Sequence, residues 1–119
     1  MASRTLPKQD WHPYFDRISK ELAGQRAQVE VAGLALGDQI EAKWLPLFGI
    51  TYDAKDDLLE IAMEGLDHLV RKPQEVAIQD GPGGLTSMEI VDSDRRRQIV
   101  RLMEPLLLPS PAASTAARR

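Results

Sequence analysis

The predicted architecture depends on residues 40–52, which read Ile-Glu-Ala-Lys-Trp-Leu-Pro-Leu-Phe-Gly-Ile-Thr-Tyr. The first five alternate between apolar and charged side chains, which is the pattern of a half-buried strand. Pro46 interrupts the pattern because proline cannot donate a backbone hydrogen bond inside a sheet. The strand resumes at Phe48. We therefore predict a β-bulge or a sheet corner near residues 45–47, and a sheet that is strongly bent there.

An amphipathic helix is predicted before this stretch, over residues 11–23. Its apolar stripe recurs at spacings of four, three and four residues, at Trp11, Phe15, Ile18 and Leu22. Asp10 is a plausible N-cap. Gly24 offers the left-handed conformation in which helices commonly end.

Short alternating or β-branched segments separated by turn signals predict the remaining strands. These strands are residues 29–36, 59–64, 75–80, 86–92 and 98–103. Residues 65–72 are ambiguous, and the spacing of their apolar side chains suits one helical turn. The pattern predicts an α+β fold, with the N-terminal helix packed on a five- to six-stranded antiparallel, strongly bent sheet. A partly open small barrel is an alternative form of that sheet.

The length of 119 residues and the mass of 13.3 kDa are those of one domain. We assign residues 1–9 to an N-terminal extension, 10–108 to a single α+β domain and 109–119, rich in Pro, Ala and Ser, to a disordered tail. The chain has no cysteine, which excludes disulfides, thiolate metal sites and thiol catalysis. No apolar run could span a membrane, and the start lacks the apolar stretch of a secretory signal, so a cytoplasmic protein is expected.

The charge is segregated along the chain, although the net charge is only −3. Residues 1–29 carry 5 basic and 3 acidic groups, residues 30–94 carry 4 and 14, and residues 95–119 carry 6 and 1. Two of the late positive charges lie in the predicted tail, so residues 1–108 carry 13 basic and 18 acidic groups, a net of −5. This balance weighs against a general affinity for nucleic acid.

No motif predicts a catalytic residue, a cofactor or a metal site. The two histidines are too few and too distant for zinc. The acidic cluster of residues 53–57 lacks the glycine and the final glutamate of a calcium loop, and residues 81–84 lack the Lys-Ser/Thr ending of a phosphate loop. Asp67 and His68 form the only adjacent acid–imidazole pair, which an enzyme would need in a pocket beside a nucleophile. Core positions are expected for Trp11, Trp44 and Phe48.

Two clusters are candidates for contact with a partner. The first is an arginine cluster formed by Arg95, Arg96, Arg97 and Arg101. It could bind phosphate, but no aromatic residue lies near it to stack on bases, and Arg97 and Arg101 could instead pair with acidic neighbours such as Glu89. The second is a leucine strip formed by Leu106, Leu107 and Leu108. These leucines either cap the core or form an exposed strip for a partner or a second copy.

Four segments follow one another along the chain: Trp11…Phe15-Asp…Ser19, Val29-Glu-Val, Leu45-Pro-Leu-x-Gly-Ile50 and Ile90-Val-Asp…Gln98-Ile-Val-Arg-Leu102. A chain with these segments in this order resembles a family of small bacterial proteins catalogued only as a domain of unknown function. The resemblance covers roughly residues 5–109. It departs at the last hairpin, where Ser93-Asp-Arg-Arg96 replaces the usual Asp-Gly turn. The resemblance implies a small single-domain cytoplasmic fold and brings no activity, cofactor or catalytic residue.

The sequence therefore favours a non-enzymatic binding or protein-interaction module that acts through its sheet surface, with an unknown protein partner or as a homo-oligomer. The alternative is a small-barrel RNA-binding protein that uses the arginine cluster, although nucleic acid is the less expected partner. An enzyme that uses Asp67 and His68 ranks third.

Overall fold

The computed structural model describes residues 2–33 and 37–107. These ranges form one α-helix, α1, at Trp11–Leu22, a short 3-10 helix at Lys8–Asp10 and eight strands. The strands are β1 Ala2–Leu6, β2 Arg26–Gly33, β3 Gly37–Asp53, β4 Leu58–Met63, β5 Leu66–Arg71, β6 Glu75–Asp80, β7 Leu85–Val91 and β8 Arg97–Leu106. Neighbouring strands pair antiparallel throughout.

Helix α1 forms where its apolar stripe predicts it. The side chains that it buries are Trp11, Tyr14, Phe15, Ile18 and Leu22. Asp10 occupies the N-cap position, but its side chain makes no capping hydrogen bond. Gly24 follows the helix with a φ of 91°, the left-handed conformation expected of it.

The described strands form one open sheet in the order β1-β6-β7-β8-β2-β3-β4-β5. The α+β fold is confirmed, but the predicted count of five to six strands is wrong. Strand β5 was missed because the spacing of Leu66, Leu69 and Val70 imitates a helical turn. Strand β1 was missed because it is short and polar and lies in the segment that we assigned to an extension. The sheet does not close into a barrel, and β1 and β5 are its edges.

The predicted corner lies within β3, which is a continuous strand of 17 residues. Its first half pairs with β2 as far as Pro46, and its second half pairs with β4 from Leu47 onward. The β3–β4 register shifts between Leu47 and Gly49, and Trp44 has a φ of 56°. The strand thus changes neighbours at its proline. Strands β3–β5 fold toward the side of the remaining sheet that faces the core.

Helix α1 runs along the edge of β3 that β2 leaves free. The hydroxyl of Ser19 donates to the carbonyl of Ile50 at 2.6 Å and accepts from its N–H at 3.0 Å. A ring nitrogen of His12, Nδ1, lies 3.2 Å from the carbonyl oxygen of Tyr52. Backbone bonds from Gly24 N–H to Leu47 O and from Leu47 N–H to Gln25 O complete this edge. The helix and the residues that follow it therefore supply the polar partners that a neighbouring strand would otherwise supply.

One apolar core lies between α1 and the inner side of the bent sheet. Trp11 belongs to it, as expected, and is 2% exposed. The prediction of core positions for Phe48 and Trp44 is wrong. Phe48 is 61% exposed because it is the extra residue of the bulge, and Trp44 is only half-buried.

Residues 1–9, assigned above to an extension, include β1, which pairs with β6. The predicted tail, residues 109–119, lies outside the described ranges, as does Leu108. In the part of the chain that is described, no helix is long and apolar enough to cross a bilayer.

Candidate functional site

The five-strand segment β1-β6-β7-β8-β2 has one side on the core and one side that no described element covers. We call the second side the outer face. The register aligns two rows of side chains across it. The first row is Ser3, Gln79, Ser87, Arg101 and Gln28, and the second is Thr5, Ala77, Glu89, Ile99 and Glu30. These are the residues between the buried positions of each strand, so they follow from the two-residue period of β-structure.

A hollow of about 370 Å³ lies in the outer face. It forms because three of the positions that line it carry small side chains, whereas the others carry longer ones. The small side chains are those of Ser3, Ala77 and Ser87, and the long ones are those of Gln79, Glu89, Arg97, Ile99 and Arg101. The hollow is therefore lined mainly by polar side chains.

Two arginines of the cluster lie on the outer face, and carboxylates orient both. Arg97 Nε and Nη2 donate to the two oxygens of Glu89 at 3.2 and 3.3 Å. Arg101 Nη1 donates to Glu30 at 3.2 Å. The hydrogen bond that Arg97 donates to Glu89 is the main cause that raises the pKa of Arg97 further above its usual value. The expected pairing of Arg97 with Glu89 is confirmed, and the other N–H groups of both guanidinium groups can bind further acceptors.

The other two arginines lie in the turn between β7 and β8 rather than on the outer face. Arg96 pairs with Asp92 at 3.3 Å and with Asp94 at 2.7 Å. Arg95 has a φ of 66° and is exposed, and among the described residues it makes no ion pair. The four arginines thus do not form one patch.

Asp67 and His68 point to opposite sides of β5, since neighbouring residues of a strand alternate. Asp67 is exposed and lies beside Glu60. The pKa of Glu60 is raised mainly by the burial of its carboxyl group and then by the charge of the Asp67 carboxyl. His68 faces a separate space of about 310 Å³, the inner cleft, where its Nε2 atom is buried without a hydrogen-bond partner. The inner cleft is lined by Val31, Gln39, Glu41, His68, Leu69, Asp92, Arg96 and Gln98. The structure does not bring Asp67 and the His68 ring together.

The acidic cluster forms the turn that the sequence predicts. Asp53 accepts the backbone N–H groups of Lys55 and Asp56 at 3.0 and 3.4 Å, and Asp57 accepts the hydroxyl of Tyr52 at 2.6 Å. In residues 2–33 and 37–107, no three histidine or carboxylate side chains are grouped closely enough to hold a metal ion.

The leucines near the end of β8 do not share one environment. Leu106 is 8% exposed and belongs to the core, whereas Leu107 is 69% exposed. Leu106 also lies against the backbone of Gly84, where a Cβ would approach its carbonyl oxygen to 2.7 Å. Leu106 thus closes one end of the core.

Sequence reasoning missed the hollow itself. Ser3, Gln79 and Ser87 carry no signal individually, and Ser3 lay in the assumed extension. The alternation within each strand shows which residues face outward. Only the register between strands shows that the small side chains of Ser3, Ala77 and Ser87 line the same hollow.

The helix, the open eight-stranded antiparallel sheet and the uncovered outer face define a small single-domain α+β protein. The chain belongs to a family described as a family of unknown function, DUF5335, whose match covers residues 2–111. The resemblance seen in the sequence is thereby confirmed. An uncharacterized protein from Aquifex aeolicus is similar to the chain, with 40% identity over 110 residues, 92% of this chain and 99% of the relative. No solved structure matches the chain.

Proposed function

We propose that this protein is a non-enzymatic binding module that holds a protruding loop of a partner protein in the hollow of its outer face. The observation that carries the proposal is the hollow, in which small side chains leave space between two guanidinium groups that carboxylates hold in place. Such pre-oriented groups lose little conformational freedom on binding.

The chemistry of the rim fits acceptors on a protein loop. Glu89 and Glu30 occupy some of the N–H donors of Arg97 and Arg101, and the remaining donors can bind a carbonyl or carboxylate. Ile99 adds an apolar side chain to the rim. Arginine and apolar side chains around a recess are typical of the central part of protein interfaces.

The charge of the outer face favours protein over RNA as the ligand. The two arginines are matched by Glu89 and Glu30, and residues 1–108 carry a net charge of −5. Binding to RNA draws most of its affinity from basic groups that neutralise phosphates, and such groups must be free of carboxylates. An enzyme is disfavoured because Asp67 and His68 lie on opposite sides of β5.

Photo-cross-linking tests the proposal. The full chain carries a benzophenone amino acid at Gln79, on the rim of the hollow, or at the exposed Lys20 of α1 as the matched control. Both proteins are irradiated in a lysate of the source organism, and the products are identified by mass spectrometry. We expect one protein that is cross-linked from position 79 alone and is lost when S87W fills the hollow.

Three outcomes contradict the proposal. They are the absence of any product from position 79, the same products from both positions, and a product that S87W does not affect. A product that nuclease digestion removes would favour the RNA-binding alternative.

A further inference from the structure

Strand β5 is an edge of the sheet whose outward backbone groups can be identified. The hydroxyl of Ser19 binds the N–H and C=O of Ile50, so Ile50 points away from β4 and the next residue, Thr51, pairs with Glu60. In an antiparallel ladder the bonding direction alternates. Glu60 therefore bonds to β3, and its neighbour Ile61 bonds to His68 of β5.

The same alternation runs along β5. Since His68 bonds to β4, the backbone N–H and C=O groups of Asp67, Leu69 and Arg71 point away from the sheet. Their side chains share one side of the strand, and all three are exposed, Leu69 to 41%. No other described strand pairs with β5. These groups form an edge that can bind a further strand.

The three exposed residues are complementary to themselves about a two-fold axis. If two β5 strands pair antiparallel about Leu69, then Leu69 faces Leu69 of the partner and Asp67 faces Arg71 of the partner, once on each side. In this register each outward backbone group meets an outward group, so the ladder is complete over residues 67–71. Opposite charges directly across an antiparallel pair stabilise it, and a two-fold interface requires this self-complementarity.

We propose that two copies of this chain form a dimer by antiparallel pairing of β5 with β5, centred on Leu69. The partner is a second copy because the side chains along the strand are acidic, apolar and basic in turn, at Asp67, Leu69 and Arg71. An antiparallel copy presents them in the opposite order, so each acidic side chain faces a basic one. The inner cleft of about 310 Å³ lies beside this edge and is lined in part by His68 and Leu69.

The charges around Asp67 support this partner. Glu60 lies beside Asp67, and burial, followed by the charge of the Asp67 carboxyl, raises the pKa of Glu60. Pairing of β5 strands places a guanidinium from Arg71 of the second copy opposite Asp67. The short strand contact buries little area, so we expect a dimer with a dissociation constant in the micromolar range or weaker.

Sedimentation of the full chain over a range of concentrations tests the dimer by charge reversal. We expect D67R or R71D alone to lower the affinity at least about tenfold, since like charges then face each other twice. The double variant D67R/R71D restores opposite charges and should restore the dimer. D56R, in the exposed turn before β4, is the matched control and should leave the dimer unchanged.

A cysteine cross-link locates the interface, because the chain has no cysteine of its own. L69C should form a disulfide-linked dimer on mild oxidation, whereas I40C, at a side chain that is 51% exposed, should not. A chain that stays monomeric at all concentrations overturns the proposal, as does a dimer that ignores the single reversals or that the double reversal fails to restore. The outer-face proposal stands or falls separately, since the hollow contains no residue of β5.

Discussion

The hydroxyl of Ser19 makes two hydrogen bonds to Ile50, donating to its carbonyl at 2.6 Å and accepting from its N–H at 3.0 Å. Ile50 is fully buried and lies in the part of β3 that no longer pairs with β2. One side chain of α1 thus replaces a neighbouring strand at this residue. The contact joins the helix to the bent half of the sheet.

We predict that Ser19→Ala lowers the free energy of unfolding by about 2 kcal/mol, because two backbone groups lose their partner inside the protein. Urea unfolding followed by circular dichroism measures the change. Ser93→Ala, in the exposed turn after β7, is the control and should change stability by less than about 0.5 kcal/mol. Equal effects from the two substitutions would show that Ser19 does not hold the β3 edge.

The second prediction concerns two neighbouring glycines in the turn after β6. Gly84 has a φ of 103°, and a Cβ there would lie 2.7 Å from the carbonyl oxygen of Leu106. A Cβ on Gly83 would meet nothing within 4 Å. Gly84→Ala should therefore cost at least about 2 kcal/mol through strain and backbone displacement, and Gly83→Ala should be nearly neutral. Thermal and urea unfolding compare the pair, and similar stability of the two variants would contradict the packing of Leu106 on Gly84.

The third prediction concerns Asp92, which organises the turn between β7 and β8. Its Oδ1 accepts the backbone N–H groups of Asp94 and Arg96, each at 2.9 Å, and its side chain is 10% exposed. Asp92→Ala leaves these donors without their acceptor and should cost about 2 kcal/mol. The control Asp94→Ala breaks only an exposed ion pair with Arg96, at a cost of less than about 1 kcal/mol. Unfolding curves that rank the two variants in the opposite order would refute this role for Asp92.

The fourth prediction is a loss of stability in alkaline solution that depends on Tyr52. Burial and the hydrogen bond to Asp57 raise the pKa of Tyr52 from 10.0 to about 12. Because the folded protein holds this proton more tightly, the resulting stabilisation is complete below about pH 10 and is lost as the pH rises through about 12. Below about pH 10, Tyr52→Phe should be less stable than the natural protein by about 1 kcal/mol, because its hydrogen bond is gone.

Urea unfolding at several pH values checks this dependence. The advantage of the natural protein should shrink and then reverse between about pH 10 and about pH 12, since only the natural protein has the proton to lose. Tyr14 titrates in both proteins and cancels from the difference. A difference that stays constant across this range would show that Tyr52 is not buried against Asp57.

The helix, most of the strands and the corner in β3 could be predicted because each follows from a local pattern. Trp11, Phe15 and Ile18 repeat with the helical period, and Pro46 interrupts an alternation. Strand β5 could not, because its apolar spacing also suits a helix, and only pairing with β4 resolves the ambiguity. Phe48 illustrates the same limit, since a bulge turns an apolar residue outward without changing the composition of the strand.

The candidate site was predictable in part. The pairing of Arg97 with Glu89 follows from the hairpin that joins their strands. The hollow depends on contacts between β1 and β6, which are distant in the sequence, and no local pattern brings Ser3 beside Gln79. The separation of Arg96 from Arg97 likewise depends on Asp92, which draws Arg96 into the turn.

The central claim is that the hollow of the outer face binds a partner protein, and calorimetric titration tests it most directly. The protein that is cross-linked from position 79 is titrated into the natural full chain, the variant S87W and the variant K20A. We predict that S87W weakens binding at least about tenfold, because an indole fills the space between Arg97 and Arg101, and that K20A binds like the natural chain. Equal affinity of S87W and the natural chain would contradict the claim.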